Sequence, residues 1–154
     1  MDAYAVFQGL ARTLTDNLSA TVNGRGITAL PYCPDSVPEP CVFVAEFDVD
    51  FDGAMNRGKD SMTVTVRALF SRADDMSAAK AVAAMFSGSG PFSIKEALEK
   101  GRGAPGFGCF QGTPYADACD DFRVEKMQGN RWYTHGTDQY LGGEITLKVI
   151  GSGA

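Results

Sequence analysis

An acidic motif in the sequence has the spacing of a calcium-binding loop. Asp48, Asp50 and Asp52 alternate along the chain and precede Gly53, as in the D-x-D-x-D-G start of an EF-hand loop. Calcium takes roughly six to eight oxygen ligands, and the twelfth loop position must supply a bidentate glutamate. That position is Lys59, whose ammonium group would repel the ion. We therefore interpret the motif as the polar face of a strand that enters a turn, with weak cation binding by its acids as an open alternative.

A glycine-rich stretch matches the literal pattern of a dinucleotide-binding loop. Residues 101–106 have the pattern G-x-G-x-x-G, but that fingerprint must follow a strand and open a helix so that the helix N-terminus faces a pyrophosphate. Here Gly101 follows a predicted helix, and Pro105 lies inside the motif. The stretch 101–115 is instead predicted to be a long loop, of the kind that is functional or becomes ordered against a partner.

The cysteines and the histidine are the next candidates for chemistry. Covalent catalysis by cysteine needs a histidine base within hydrogen-bond reach. The chain has a single histidine, His135, and four widely spaced cysteines without a Cys-x-x-Cys motif: Cys33, Cys41, Cys109 and Cys119. Because cytosolic thiols normally stay reduced, we interpret the cysteines as small, semi-buried hydrophobic residues and His135 as a packed or surface side chain.

Two pairs of adjacent acids remain as acid–base candidates. Asp74 and Asp75 lie where a helix cap is expected. Asp120 and Asp121 lie in a predicted strand, and neighbours on a strand point to opposite faces. The sequence therefore predicts no enzyme, with no catalytic, cofactor-binding or metal-ligating residue and no cofactor.

The composition is that of one small globular domain. The chain has 154 residues, 44% of them apolar and 21% charged, and a formal net charge of −5. This length suits a single domain over residues 1–154. The acidic surplus argues against a dedicated nucleic-acid binder, and no apolar run approaches the roughly 20 residues that span a bilayer. With an acidic N-terminus that lacks signal-peptide features, we expect a soluble protein made and kept in a cytoplasm.

Hydrophobic periodicity predicts an α+β fold with a largely antiparallel sheet. An N-terminal helix over 2–19 and two central helices are expected on one face of that sheet; Asp74 or Asp75 caps the first central helix, and a capping box of Ser93 and Glu96 starts the second. A short strand over 27–32 leads through a proline-rich connector to two alternating strands. Their apolar residues are Phe43, Ala45, Phe47, Val49 and Phe51 in one and Met62, Val64, Val66, Ala68 and Phe70 in the other. A long hairpin loop over 52–60 joins the two, and strands over 119–128, 131–134 and 140–150 close the domain.

Three segments, 71–86, 90–99 and 140–147, carry a resemblance to a known family. They contain a strand end near an arginine and an acidic pair, a small-residue helix, a short helix of Ser-Ile-x-x-Ala-Leu type, and a closing strand. Together with the N-terminal helix and the proline-rich approach to a long hairpin, this order resembles the tail terminator family of long-tailed bacteriophages, the minor tail protein U type. The resemblance covers most of the chain.

The resemblance implies a structural virion protein at the head-proximal end of a tail that is assembled in the host cytoplasm. It implies a homo-oligomeric ring, typically a hexamer, that caps the tail tube, ends its polymerisation and presents a surface to the head–tail connector or completion protein. DNA would only pass through the pore, which suits the acidic balance because attraction to phosphates would act as a brake; no membrane is involved. The residues expected to contact other subunits or the tail tube are Asp52, Arg57, Lys59, Asp60, Arg102 and Phe107.

Two alternatives stay open at this stage. One is another neck or tail component, either a head–tail connector or a tube subunit; a tube subunit would polymerise into long tubes, whereas a terminator stops at a closed ring. The other is a small cytosolic enzyme or ligand-binding domain that uses the glycine loop and His135, which predicts a monomer or dimer with a concave pocket.

Overall fold

The chain forms a helix, short strands, a long hairpin, two further helices and a second long hairpin. A computed structural model describes residues 1–18, 21–22, 25–36, 40–51, 58–71, 76–90, 92–102, 109–110, 112–136 and 138–152. The helices are α1 (Ala3–Asn17), α2 (Met76–Met85) and α3 (Ile94–Lys100). The strands are β1 (Thr21–Val22), β2 (Arg25–Gly26), β3 (Thr28–Leu30), β4 (Cys41–Asp50), β5 (Lys59–Ser71), β6 (Asp121–His135) and β7 (Asp138–Ser152).

The strands form a five-stranded sheet and, in the described part of the chain, a separate two-stranded ribbon of β1 and β2. The order in the large sheet is β3-β4-β5-β7-β6. The pairs β4–β5, β5–β7 and β7–β6 are antiparallel, and only β3 and β4 are parallel. The predicted α+β fold with a largely antiparallel sheet is therefore confirmed, including the hairpin pairing of β4 with β5.

All three helices pack on one face of the sheet, as the periodicity predicted. The side chain of Asp2 caps α1 by accepting a hydrogen bond from the Tyr4 N–H at 3.0 Å. The hydrophobic core lies between helices and sheet and includes Val6, Phe7, Leu10 and Leu14 of α1, Val82 and Met85 of α2, and Ile94, Ala97 and Leu98 of α3. The opposite face, here called the open face, carries only a small apolar cluster at one end, made of Cys41, Phe43, Leu69, Tyr133 and Tyr140 with Leu30 and Ala45 beside it.

One of the two hydrogen bonds of the predicted α3 capping box is present. The Ser93 hydroxyl accepts a hydrogen bond from the Glu96 N–H at 3.2 Å. The Glu96 carboxylate, however, accepts from the Gly90 N–H at 2.6 Å rather than from the cap residue. The N–H of Ser93, the cap residue, instead bonds to the Gly90 carbonyl at 3.1 Å. Both ends of the capping box therefore hold Gly90, which lies in the turn that leads from α2. The cap predicted for α2, Asp74 or Asp75, lies outside the described residues.

A β-bulge in β4 corrects the predicted alternation. Val44 pairs with Val66 and Glu46 with Thr65, so Ala45 is an extra residue without a partner on β5. The bulge reverses the side-chain parity: before it Val42 and Val44 face the core, and after it Phe47 and Val49 do. Phe43 and Ala45, predicted to share a face with Phe47, lie on the open face instead.

The loop over 101–115 is only partly a free loop. Cys109 and Phe110 are fully buried in the core, and Phe110 stacks on Phe122 with ring centroids 5.0 Å apart. Gly9 of α1 makes room for this ring, since a Cβ there would lie 2.4 Å from Phe110 Cδ2. Residues 103–108 lie outside the described part of the chain. Residues 109 and 110 are therefore ordered within a single chain. A functional role, or ordering against a partner, stays a prediction for the rest of the stretch.

A disulfide joins Cys109 to Cys119. The interpretation of these two residues as reduced hydrophobic side chains is wrong, because the loop brings their Cα atoms to 6.0 Å. Cys33 and Cys41 are free thiols, the first exposed and the second buried. Burial, reinforced by Cys33, raises the pKa of Cys41 from 9.0 to about 12.

Candidate subunit interface

The structure describes three of the six predicted contact residues: Lys59, Asp60 and Arg102. Asp52, Arg57 and Phe107 lie outside the described residues. Lys59 and Asp60 belong to β5 rather than to a hairpin loop, because pairing with the last residues of β7 extends that strand. Asp60 is buried, with 8% of its surface exposed, so it is not a solvated loop position, and its role as a contact residue stays a prediction.

Two of the predicted residues instead hold the start of β6. Lys59 forms an ion pair with Asp120. Arg102 binds Asp121 through two hydrogen bonds, Nε to Oδ1 at 3.0 Å and Nη2 to Oδ2 at 3.2 Å. This hydrogen bonding, against a smaller opposing effect of burial, lowers the pKa of Asp121 below its usual value. Both pairs are half exposed and each contributes at most about 1 kcal/mol.

The register of the sheet aligns charged side chains in rows across the open face. In one row Asp48 of β4 pairs with Thr63 of β5, which pairs with Lys148 of β7, which pairs with Arg123 of β6. In the adjacent row the residues are, in the same strand order, Glu46, Thr65, Thr146 and Lys126. Each row therefore runs from an acid on β4 to a base on β6, and in the first row Lys148 of β7 adds a second base.

The acidic end of these rows lies on an open strand edge. β3 pairs with β4 only over Cys41–Phe43, so within the described residues no strand covers the outer edge of 45–50. Glu46, Asp48 and Asp50 are exposed and form no ion pair with any described residue. We call this segment, residues 45–50, the acidic edge.

The basic end lies on the opposite strand edge. Among the described residues, β6 pairs only with β7, and Arg123, Lys126 and Lys148 are exposed on or beside it. A cleft of about 260 Å³ opens there, lined by Arg102, Asp121, Phe122, Arg123, Lys148 and Ile150. Asp121 is bound by Arg102, and Arg123 is paired with Glu125 at 3.2 Å. Lys148 in the cleft and Lys126 beside it form no ion pair with any described residue, so they supply the uncompensated charge. We call residues 121–126 with Lys148 the basic edge.

Each edge also exposes apolar side chains on the helix side of the sheet. Phe47 on the acidic edge is 48% exposed, and Met127 beside the basic edge is 41% exposed. The Phe47 ring meets Phe7 of α1 edge to face, with centroids 4.9 Å apart. The two edges thus share one construction, with charge on the open face and exposed apolar surface on the helix face.

A buried polar cluster occupies the other half of the open face. The ring of Tyr133 lies between the guanidinium groups of Arg67 and Arg131, each 4.8 Å from its centroid. The Tyr133 hydroxyl donates to the Gly129 carbonyl at 2.5 Å and lies 3.1 Å from Glu144 Oε1. Burial, and then the Glu144 charge, raise the pKa of Tyr133. We interpret this cluster as a stiffening element of the sheet.

Glu144 joins the two arginines of this cluster. It lies 3.5 Å from Arg67 Nη2 and 3.6 Å from Arg131 Nη2. The sequence alone does not bring Glu144 and Arg67 together. Their contact depends on the β5–β7 register, in which the two residues are paired.

His135 is a packed side chain, as predicted. Its Nε2 lies 2.6 Å from the Pro34 carbonyl oxygen, and its ring contacts Phe43 edge to face at 6.0 Å. It therefore fastens the proline-rich connector to the end of β6. Among the described residues no group of three or more His, Cys, Asp or Glu side chains could hold a metal ion.

No protein-family model matches this chain, and no curated protein matches it significantly. In the described part of the chain, no helix has both the length and the apolar character needed to cross a bilayer.

Proposed function

We propose that this protein is a tail terminator of a long-tailed bacteriophage. Six copies close into a ring that caps the tail tube, ends its polymerisation and offers a surface to the head–tail connector. The family resemblance of the sequence supports the proposal, and the observation that carries it is the unlike charge on the two open edges of one sheet. A head-to-tail contact requires two different and complementary surfaces on the same subunit, and its repetition about an axis gives a ring.

The separation of the two edges favours contact between copies over neutralisation within one copy. Three strand spacings of about 4.8 Å place β4 and β6 roughly 14 Å apart. This distance exceeds the screening length of about 8 Å at physiological ionic strength. Within one subunit the acids and bases therefore attract each other weakly, whereas the same groups in contact across two subunits attract strongly.

The open edges themselves favour association. An exposed strand edge presents unpaired N–H and C=O groups that pair readily with another chain, and a closed ring removes such edges. In the virion the partners of this ring are the tail tube protein on one side and the head–tail connector or completion protein on the other. DNA passes through the pore, where a chain of net charge −5 does not hold phosphates.

Negative-stain electron microscopy of the purified protein tests the proposal. We expect annular particles of uniform diameter with a central pore, stable over a range of protein concentrations. Long tubes would identify a tube subunit instead. Isolated particles of single-chain size at high concentration would refute the ring and favour the ligand-binding alternative.

A further inference from the structure

We infer that neighbouring copies join edge to edge, with the acidic edge of one copy seated against the basic edge of the next. This inference rests on the proposed ring and adds the surface that builds it. The occupant of the basic cleft is a second copy of this chain, because the acids that complement the cleft are on the chain's own opposite edge and bind no described residue.

The strand directions fit such a junction. β4 and β5, β5 and β7, and β7 and β6 are each antiparallel, so β4 and β6 of one copy run in opposite directions. When β6 of one copy lies beside β4 of the next, the alternation continues without interruption. Main-chain pairing can then extend across the junction, as in the addition of a strand to an exposed sheet edge.

The register fits as well. Asp48 and Arg123 end the same row of the sheet, and Glu46 and Lys126 end the row beside it. If the rows continue from one copy to the next, Asp48 meets Arg123 and Glu46 meets Lys126. Asp50 meets Asp121, whose charge is already bound by Arg102. On the helix face the same alignment brings Phe47 of one copy towards Val124 and Met127 of the next, so the apolar surfaces meet too.

The acidic edge and the basic edge are both uncovered at the same end of the sheet. β3 covers β4 at Cys41–Phe43, which lies level with the second half of β6. The uncovered segment 45–50 lies level with 121–126, where the cleft opens. The junction therefore involves this half of the sheet and leaves the Tyr133 cluster outside it.

Paired charge reversals test the inference. The acid variant is Glu46→Lys with Asp48→Lys, and the base variant is Arg123→Glu with Lys126→Glu, so each reversed side chain lies in one of the two acid–base rows. All four side chains are exposed, so both variants should keep the wild-type circular dichroism spectrum. We expect each variant alone to be a monomer, with self-association weakened at least about 100-fold, because like charges then face each other at every junction.

The decisive sample is an equimolar mixture of the two variants, analysed by native mass spectrometry. In the mixture each reversed edge finds a complementary reversed edge, and the two unreversed edges match as before. We expect a hexamer containing three copies of each variant. Hydrogen exchange of the wild-type ring adds an independent measurement, since amides over 45–50 and 121–126 should be protected relative to a dissociated sample.

The matched control for the base variant is Lys80→Glu with Lys95→Glu, which makes the same change in net charge as that variant on exposed helix residues and should leave the ring intact. Single variants that still form rings, or a mixture that stays monomeric, would overturn the edge-to-edge junction. A one-to-one dimer in the mixture would indicate face-to-face pairing and would overturn it too. Failure of the wild-type protein to form rings would instead refute the proposed function, so the two failures are distinguishable.

Discussion

Substitution of Gly129 by alanine should destabilise the protein by about 2–5 kcal/mol, through two separable effects. Gly129 has a φ of +70°, a conformation that costs an L-residue roughly 1–2 kcal/mol. A Cβ at this position would also lie 2.4 Å from the Tyr133 hydroxyl oxygen. The ring must then shift and lose its hydrogen bond to the Gly129 carbonyl, which adds about 1–3 kcal/mol.

Gly136→Ala is the matched control for the backbone cost of a positive φ. Gly136 has a φ of +66°, and a Cβ there would meet no atom within 4 Å, so only the backbone cost of roughly 1–2 kcal/mol remains. Thermal unfolding followed by the fluorescence of Trp132, the single tryptophan of the chain, measures both variants. For a domain of this size about 1 kcal/mol corresponds to a shift in Tm of roughly 2–4 °C.

The double variant Gly129→Ala with Tyr133→Phe separates steric conflict from simple loss of contacts. Phenylalanine removes the oxygen that the new Cβ would strike, and the next ring atom is 3.7 Å away, an ordinary contact. The double variant should therefore be at least about 1 kcal/mol more stable than the sum of the two single effects predicts. Additive effects within about 0.5 kcal/mol, or a Gly129→Ala variant no worse than Gly136→Ala, would refute this reasoning.

Three further predictions concern the disulfide and two titrating groups. Reduction of the disulfide that closes residues 109–119 should lower the free energy of unfolding by roughly 2–3 kcal/mol, measured by urea denaturation with and without dithiothreitol; equal midpoints would contradict the bridge. Because burial raises the pKa of Cys41 from 9.0 to about 12, the folded protein keeps a proton that the unfolded chain loses, so the free energy of unfolding should fall as pH rises from about 9 towards 12. The Cys41→Ala variant should flatten this fall, while Cys33→Ala should not, and equal slopes in all three proteins would exclude the cause. The pKa of Asp121 should lie below the ordinary aspartate pKa in a carboxyl NMR titration and should return to it in Arg102→Gln. The free energy of unfolding that this lowered pKa contributes is fully present at pH values above the ordinary aspartate pKa and is lost as the pH falls through the lowered pKa. An unchanged titration of Asp121 in the variant would exclude Arg102 as the cause.

Local pattern predicted most of the secondary structure because it depends on short-range periodicity. The stripe of Phe7, Leu10 and Leu14 placed α1, and strict alternation over 62–70 placed β5 with the correct inward face. The same rule failed at Ala45, since a single extra residue reverses parity and leaves no mark in composition. It also missed the parallel pairing of β3, which depends on the path of a proline-rich connector rather than on the strand's own residues.

The candidate interface could be predicted only in part, because it depends on non-local register. The alternation of Glu46, Asp48 and Asp50 already indicated one polar strand face. That Asp48 and Glu46 lie in the same rows of the sheet as Arg123 and Lys126 follows only from the pairing of four strands. The disulfide was beyond sequence reasoning for a similar reason: four cysteines allow three pairings, and the buried turn at Phe110 selects one.

The mass of the wild-type protein in solution tests the central claim most directly. Light scattering coupled to size-exclusion chromatography should give one species of about 98 kDa, six times the 16.4 kDa of a single chain, at physiological ionic strength. Because the proposed junctions are electrostatic, this mass should decrease in concentrated salt. A mass of 16.4 kDa at every protein concentration, or an open-ended series of ever larger species, would contradict the closed ring.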